Sequence, residues 1–410
     1  MNSIAKADLS HQPDSLYAWW RVAVALAIAT VGGIGLWAPV VVLPIIEREY
    51  NVGRGGATLP YSAIMIGFAV GGVTLGRFTD RFGIVPPLLL GAVMLALGFI
   101  AAAFAGSFWQ FVLIQAVLTG MLGSSSTFGP LVADITHWFQ QRRGIAVAIV
   151  ASGNYLAGAI WPRAMQWGIA NYGWRHTYVV IGILCVITMA PLALLLRRRS
   201  PIAESHATVQ SGPHETLAPP GYLQGLLMFA GVCCCVAMSM PQVHMVAYCV
   251  DLGYGPARGA EMLSLMLGMG VISRLSSGLI ADKIGGVGTL IIGSTMQFLT
   301  LIFYLPFNGL TSLYVVSALF GLSQGGIVPS YALIVRQYFP ARQAGLRVSL
   351  VLMSTVVGMA LGGWMSGEIF DLTGSYRAAF LNGIAWNLVN MAIAFWLLFG
   401  GMRMRPALAV

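Results

Sequence analysis

The octapeptide GRFTDRFG, Gly76 to Gly83, follows an apolar run and returns as GLIADKIG, Gly278 to Gly285, 202 residues later. A second stretch, WFQQRRGIAVAI from Trp138, returns as YFPARQAGLRVS from Tyr338, at an offset of 200. Two different loops repeating at nearly one offset imply a duplicated chain whose like halves are related by an axis along a membrane normal.

Composition says what the halves are made of. Of 410 residues, 58% are hydrophobic and only 9% charged, and the mean hydropathy is +0.80. A soluble globular domain carries about 25% charged residues, so a soluble enzyme is excluded. About 20 apolar residues cross a bilayer at 1.5 Å each. Runs of that kind lie near 20–46, 57–78, 84–105, 109–136, 144–168, 174–196, 222–250, 260–280, 286–307, 311–336, 345–368 and 376–400. The expected fold is all-α: an integral membrane protein of 12 transmembrane helices in a 6+6 pseudo-twofold bundle, embedded in lipid. The expected division is a tail at 1–19, a six-helix half at 20–197, a Pro/Ser/His-rich linker at 198–220, a second half at 221–401 and a tail at 402–410.

The net charge of +9 does not indicate nucleic acid, because the bases form short clusters between apolar runs rather than one stripe. Fifteen of the 22 Lys and Arg residues, Arg21 among them, fall on the side of the chain ends. That bias predicts a multi-pass protein of the inner (plasma) membrane with both termini cytoplasmic. The N-terminal stretch lacks the features of a cleaved signal peptide, so the first apolar run is expected to stay. Five cysteines, Cys185, Cys233, Cys234, Cys235 and Cys249, sit in apolar segments without a CxxC, which argues against disulfides and metal. There is no Walker loop, HExxH, nucleophile beside a base or dinucleotide fingerprint. Neither an enzyme nor a cofactor is expected, and no obligate protein partner is indicated.

With its GxxxDRxG loop and the weaker copy, the whole chain resembles the major facilitator superfamily. WFQQRRGIAVAIVASGNYLAGAIWP, from Trp138 to Pro162, is similar to the monocarboxylate transporter family and its bacterial relatives near the oxalate/formate exchangers. The resemblance implies a gating role for Gly76, Asp80 and Arg81, and for Asp282 with Lys283 and Arg142 with Arg143: a charged lock that breaks during transport. Read as residues alone, these are positive-inside turns.

Arg274 stands apart. It lies eight residues before Asp282, about 12 Å inside a ~30 Å core. A lone cation there costs at least about 2.5–3.5 kcal/mol. Its forked guanidinium suits a carboxylate, and no Asp or Glu lies in the middle third of another run. The expected partner is a substrate anion, the alternative a salt bridge to another helix. Monocarboxylate transporters similarly carry an arginine in this helix. Animal members add an aspartate four residues earlier and a lysine late in the first helix, where this chain has Gly270 and Val40. The eleventh helix carries no second base, so one central cation implies one carboxylate.

Asn154, Tyr155, Gln324 and Tyr331 fall near mid-depth and are candidates to orient the substrate, with interhelical hydrogen bonding the alternative. His244 after Pro241 is a candidate for proton coupling, or else a hydrogen-bonded histidine at a helix break. The expected function is a secondary transporter moving a small monocarboxylate of the L-lactate/pyruvate class with a proton. An oxalate/formate-type antiporter is the alternative. A proton-driven drug exporter would require a membrane carboxylate that the sequence does not show.

Overall fold

The computed structural model describes residues 13–198, 219–339 and 341–399. The expected tail at 402–410 and most of the linker and N-terminal tail lie outside the described residues. In lipid every backbone N–H and C=O must be paired within its own segment, and among the described residues all regular structure is helical. In chain order the helices are α1 (Leu16–Gly32), α2 (Ile34–Glu49), α3 (Arg54–Phe82), α4 (Val85–Ala103), α5 (Phe108–Ile114), α6 (Gly129–Thr136), α7 (Arg143–Ala151), α8 (Gly153–Tyr172) and α9 (Trp174–Leu195). The second half holds α10 (Pro220–Asp251), α11 (Gly255–Phe303), α12 (Leu310–Gln324), α13 (Ile327–Tyr338), α14 (Ala341–Thr373) and α15 (Tyr376–Phe399).

Among the described residues, eleven helical segments are long and apolar enough to cross a membrane. One of them, α11, runs for 49 residues, about 74 Å at 1.5 Å each, more than twice a hydrocarbon core. Inside it Gly285 has φ 76° and ψ 174°, a conformation that glycine adopts without penalty. Its two arms, 255–284 and 286–303, are each long enough to cross.

Several crossings are broken within their apolar runs. α1 meets α2 at Gly33, α7 meets α8 at Ser152, and α12 meets α13 at Gly325 and Gly326. The fourth crossing passes from α5 through a π-helical stretch (Gln115–Gly123) and a 3₁₀ turn (Ser124–Thr127) to α6. The first helix starts at Leu16 rather than 20, because the Ser15 hydroxyl accepts the Ala18 N–H at 3.3 Å and caps it.

Each half has its own apolar core, with Phe99, Phe111 and Tyr178 in the first and Tyr304, Phe320 and Phe380 in the second. A third cluster lies between the halves: Trp37, Tyr61 and Tyr155 from one meet Val243, Leu263 and Ala360 from the other. We call the end of the bundle where the chain enters and leaves the terminus end, and the opposite one the far end.

Arg21, read above as a loop charge, is instead buried at 1% exposure. Its Nε and Nη2 donate to Asp134 at 2.7 and 2.8 Å, Nη2 donates to the Leu196 carbonyl at 2.9 Å, and the Trp138 ring lies 4.6 Å away. One side chain thus ties the first, fourth and sixth crossings of the first half. Removing one member of such a pair costs about 3–5 kcal/mol, because the other charge stays buried alone. Arg21→Ala should therefore lower the thermal unfolding temperature of the purified protein strongly, and adding Asp134→Ala should restore part of the loss.

Candidate functional site

Arg274 leaves α11 midway along its first arm and crosses to the other half. Its Nη1 donates to the Ala151 carbonyl at 2.7 Å, at the break between α7 and α8. Its Nε donates weakly to the Gly325 carbonyl at 3.4 Å, at the break between α12 and α13. The guanidinium carbon stands 4.5 Å from the Tyr155 ring centre, a cation–π contact. No carboxylate reaches Arg274 among the described residues, and Tyr155 is also its side-chain hydrogen-bonding neighbour. The residue is partly exposed.

Missing side chains make this arrangement possible. A Cβ on Gly270 would stand 2.5 Å from the Tyr155 ring, and one on Gly325 would stand 2.5 Å from the backbone nitrogen of Arg274. The ring thus occupies the space into which any side chain at position 270 would project. Tyr155 is a neutral partner, so the site keeps its full positive charge.

Of the other sequence candidates, Asn154 lies beside Tyr155, where its carbonyl and Oδ1 accept from Trp37 Nε1 at 3.1 and 3.2 Å. Gln324 immediately precedes Gly325 and accepts from Gln242 Nε2 at 2.5 Å. Tyr331 is placed elsewhere. It is fully buried in the core of the second half and donates to Asn390 Oδ1 at 2.6 Å. His244 is also remote from Arg274, bonded to Tyr376 Oη at 3.0 Å and the Gly363 carbonyl at 2.8 Å near the far end.

The charged loops lie at the terminus end. Asp80, Arg81, Arg142, Asp282 and Lys283 are exposed, Arg143 partly so, and no ion pair among the described residues engages them. A Cβ on Gly76 would meet nothing within 4 Å, so in this arrangement the glycine is not packed against a neighbour. The loop before α7 is held by its backbone: Asp14 accepts the N–H groups of Gln140, Gln141 and Arg142 at 3.2, 3.1 and 3.1 Å. What burial Asp14 has disfavours its charge, but these three bonds and the Arg142 charge outweigh it and hold its carboxyl below the ordinary value.

The far end holds the network that the sequence did not single out. Arg54 heads α3, and its Nη1 and Nη2 donate to Asp251 at 2.9 and 3.1 Å. Nη1 also donates to Tyr376 Oη at 2.6 Å, Nε pairs with Glu47 at 2.8 Å, and the Phe370 ring lies 4.5 Å away. Asp371 accepts the backbone N–H groups of Arg54 and Gly55 at 2.7 and 2.8 Å. The positive end of α3 in one half is thus capped by a carboxylate from the other. A Cβ on Gly367 would stand 2.6 Å from Gly55 Cα, so the two backbones touch. Two turns deeper, Ser62 donates to the Ala360 carbonyl at 2.7 Å. The far end is sealed.

Two like helical halves that meet tightly at one end, around a cation at mid-depth, define a membrane transporter. The chain belongs to the Major Facilitator Superfamily, whose profile matches residues 25–315. Within it the chain is monocarboxylate transporter-like. It is 26% identical over 324 residues to Monocarboxylate transporter 13 of Rattus norvegicus, covering 77% of this chain and 73% of that one. It is 25% identical to Monocarboxylate transporter 4 of the same species, covering 96% and 86%. The fold matches a crystal structure of a bacterial homolog to the human lysosomal transporter Spinster in an inward-facing and occupied conformation. The TM-score is 0.72 at 14% identity, over 96% of this chain and 99% of that one.

Because Gly367 and Gly55 are in backbone contact, a larger residue should prise the far end apart. Overpacking costs about 1–3 kcal/mol, a shift of about 5- to 150-fold towards the open form. Thr58→Cys, buried just inside the seal, should then react faster with a hydrophilic thiol reagent in a Gly367→Val background.

Proposed function

We propose that this protein moves a small monocarboxylate of the L-lactate/pyruvate class across the membrane, with a proton, by alternating access between its two halves. The observation that carries the reading is Arg274: a mid-depth guanidinium with no carboxylate partner among the described residues. An anion that pairs with it removes the cost of enclosing a bare charge, which lowers the barrier to closing the halves around it. Relatives named as monocarboxylate transporters support a single carboxylate as cargo. Tyr155 lies against the cation, and in this reading it orients the anion together with Asn154, its neighbour in the chain, and Gln324, which precedes Gly325. The bias of Lys and Arg supports the terminus end as cytoplasmic, which makes the sealed-far-end arrangement inward-facing.

In this reading Gly76, Asp80, Arg81, Arg142, Arg143, Asp282 and Lys283 form the opposing lock. Their charges pair when the far end opens and the terminus end closes, and the close approach then uses the bare backbone of Gly76.

The test is uptake of labelled L-lactate into proteoliposomes with and without an inward proton gradient. Wild type should show gradient-stimulated uptake. Truncating one partner of a hydrogen-bonded charge pair costs about 2–5 kcal/mol, so Arg274→Ala should lose at least about 30-fold. Arg274→Lys should also fail, because a lysine cannot keep the carbonyl contacts and the ring contact together. Uptake that requires a loaded counter-anion and ignores the proton gradient would replace symport by oxalate/formate-type exchange.

A further inference from the structure

The hydrogen bonds around His244 have only one consistent direction. The Gly363 carbonyl can only accept, so His244 Nε2, 2.8 Å away, carries a hydrogen. Arg54 can only donate, so Tyr376 Oη, 2.6 Å from its Nη1, accepts from it. The phenol's own hydrogen then points to His244 Nδ1 at 3.0 Å, which must be bare. The chain reads Arg54 N–H to Tyr376 O–H to His244, and the imidazole is neutral with both nitrogens engaged. His244 is fully buried and Tyr376 3% exposed.

A proton added at Nδ1 would displace the Tyr376 hydrogen from its acceptor and leave two cations donating to one phenol oxygen. The groups facing this histidine set the balance. α3 contributes Arg54, α2 Glu47, α14 Asp371, α15 Tyr376, and α10 itself Tyr248 and Asp251. On α11 the acid is turned away, since Glu261 is bonded to Arg258 and Tyr314. The carboxylates are engaged by Arg54 and the α3 N-terminus, whereas the group in contact with Nδ1 is the phenol that Arg54 holds.

We infer that His244 is a proton-binding site that releases the far gate: a proton enters only when Tyr376 lets go of Arg54, so acid favours the far-open form. The inference rests on the alternation of the halves in the reading above and not on the identity of the cargo. The proton that opens the latch has to leave before the far end seals again, so it acts on the gate whether or not a proton accompanies the substrate.

The experiment needs no substrate. Spin labels at Arg48→Cys and Leu372→Cys, on exposed far-end positions of opposite halves, report the gap in the full-length protein in lipid nanodiscs. The five native cysteines are buried. Between pH 7.5 and pH 5.5 the long-distance population should grow relative to the short one. The limit is about tenfold per pH unit for one proton bound only by the open form. His244→Gln, which can keep a donor and an acceptor without titrating, should abolish the response, and Glu47→Gln should retain it. Should His244→Gln not fold, Tyr376→Phe carries the test, since it removes the phenol link and should give a gap that is insensitive to pH. A wild-type gap that ignores pH, a response that survives in His244→Gln or Tyr376→Phe, or one lost in Glu47→Gln instead would overturn the assignment. Lactate uptake that fails while the gap still follows pH would count against the cargo and not against the latch.

Discussion

The junction between the halves depends on the head of α3. A helix start offers unpaired N–H groups and the positive end of its dipole, and here the first residue adds a guanidinium. Asp371 takes the N–H groups and Asp251 the guanidinium, both from the opposite half, while Glu47 answers from the same half. This site lies at the rim, where Glu47 and Asp251 side chains keep 25% and 31% of their exposure. Parting the charges therefore returns them to water rather than to hydrocarbon. A pair at mid-depth could not be parted so cheaply, which suits the rim to the reversible bond and the middle to the cargo.

Arg274 follows the opposite logic. Its neighbours are two carbonyls and a phenol ring, groups that stabilise a cation without cancelling it. Both carbonyls come from helix breaks, where the backbone turns out of the regular ladder. The halves contribute one each, so the cation senses their separation directly. Gly270 is what admits the ring: with no side chain on α11 at that point, Tyr155 reaches across and lies against the guanidinium.

Much of this was legible in the sequence. Apolar runs report crossings because lipid tolerates no other composition, the repeated loops report duplication, and Arg274 stood out because no acid shares its depth. The breaks at Gly33, Ser152 and Gly325 were not legible, since small and polar residues inside an apolar run fit an unbroken, closely packed helix equally well. Neither were the roles of Arg21 and Arg54: only packing shows that each turns inward onto acids far along the chain. Tyr331 shows the same limit from the other side. Depth can be counted from sequence, but the face of the helix cannot, and its hydroxyl points to Asn390 in the core of its own half. Arg54 did carry one signal, a base at the start of a helix whose counterpart acids, Asp251 and Asp371, end two helices of the other half.

The single residue between the arms of α11 makes them a crank. Gly285 alone departs from helical geometry there, and Arg274 sits eleven residues from it, about 16 Å along the axis. The eighth and ninth crossings therefore share one continuous segment with a single bend, and position 285 is where a side chain would strain their junction.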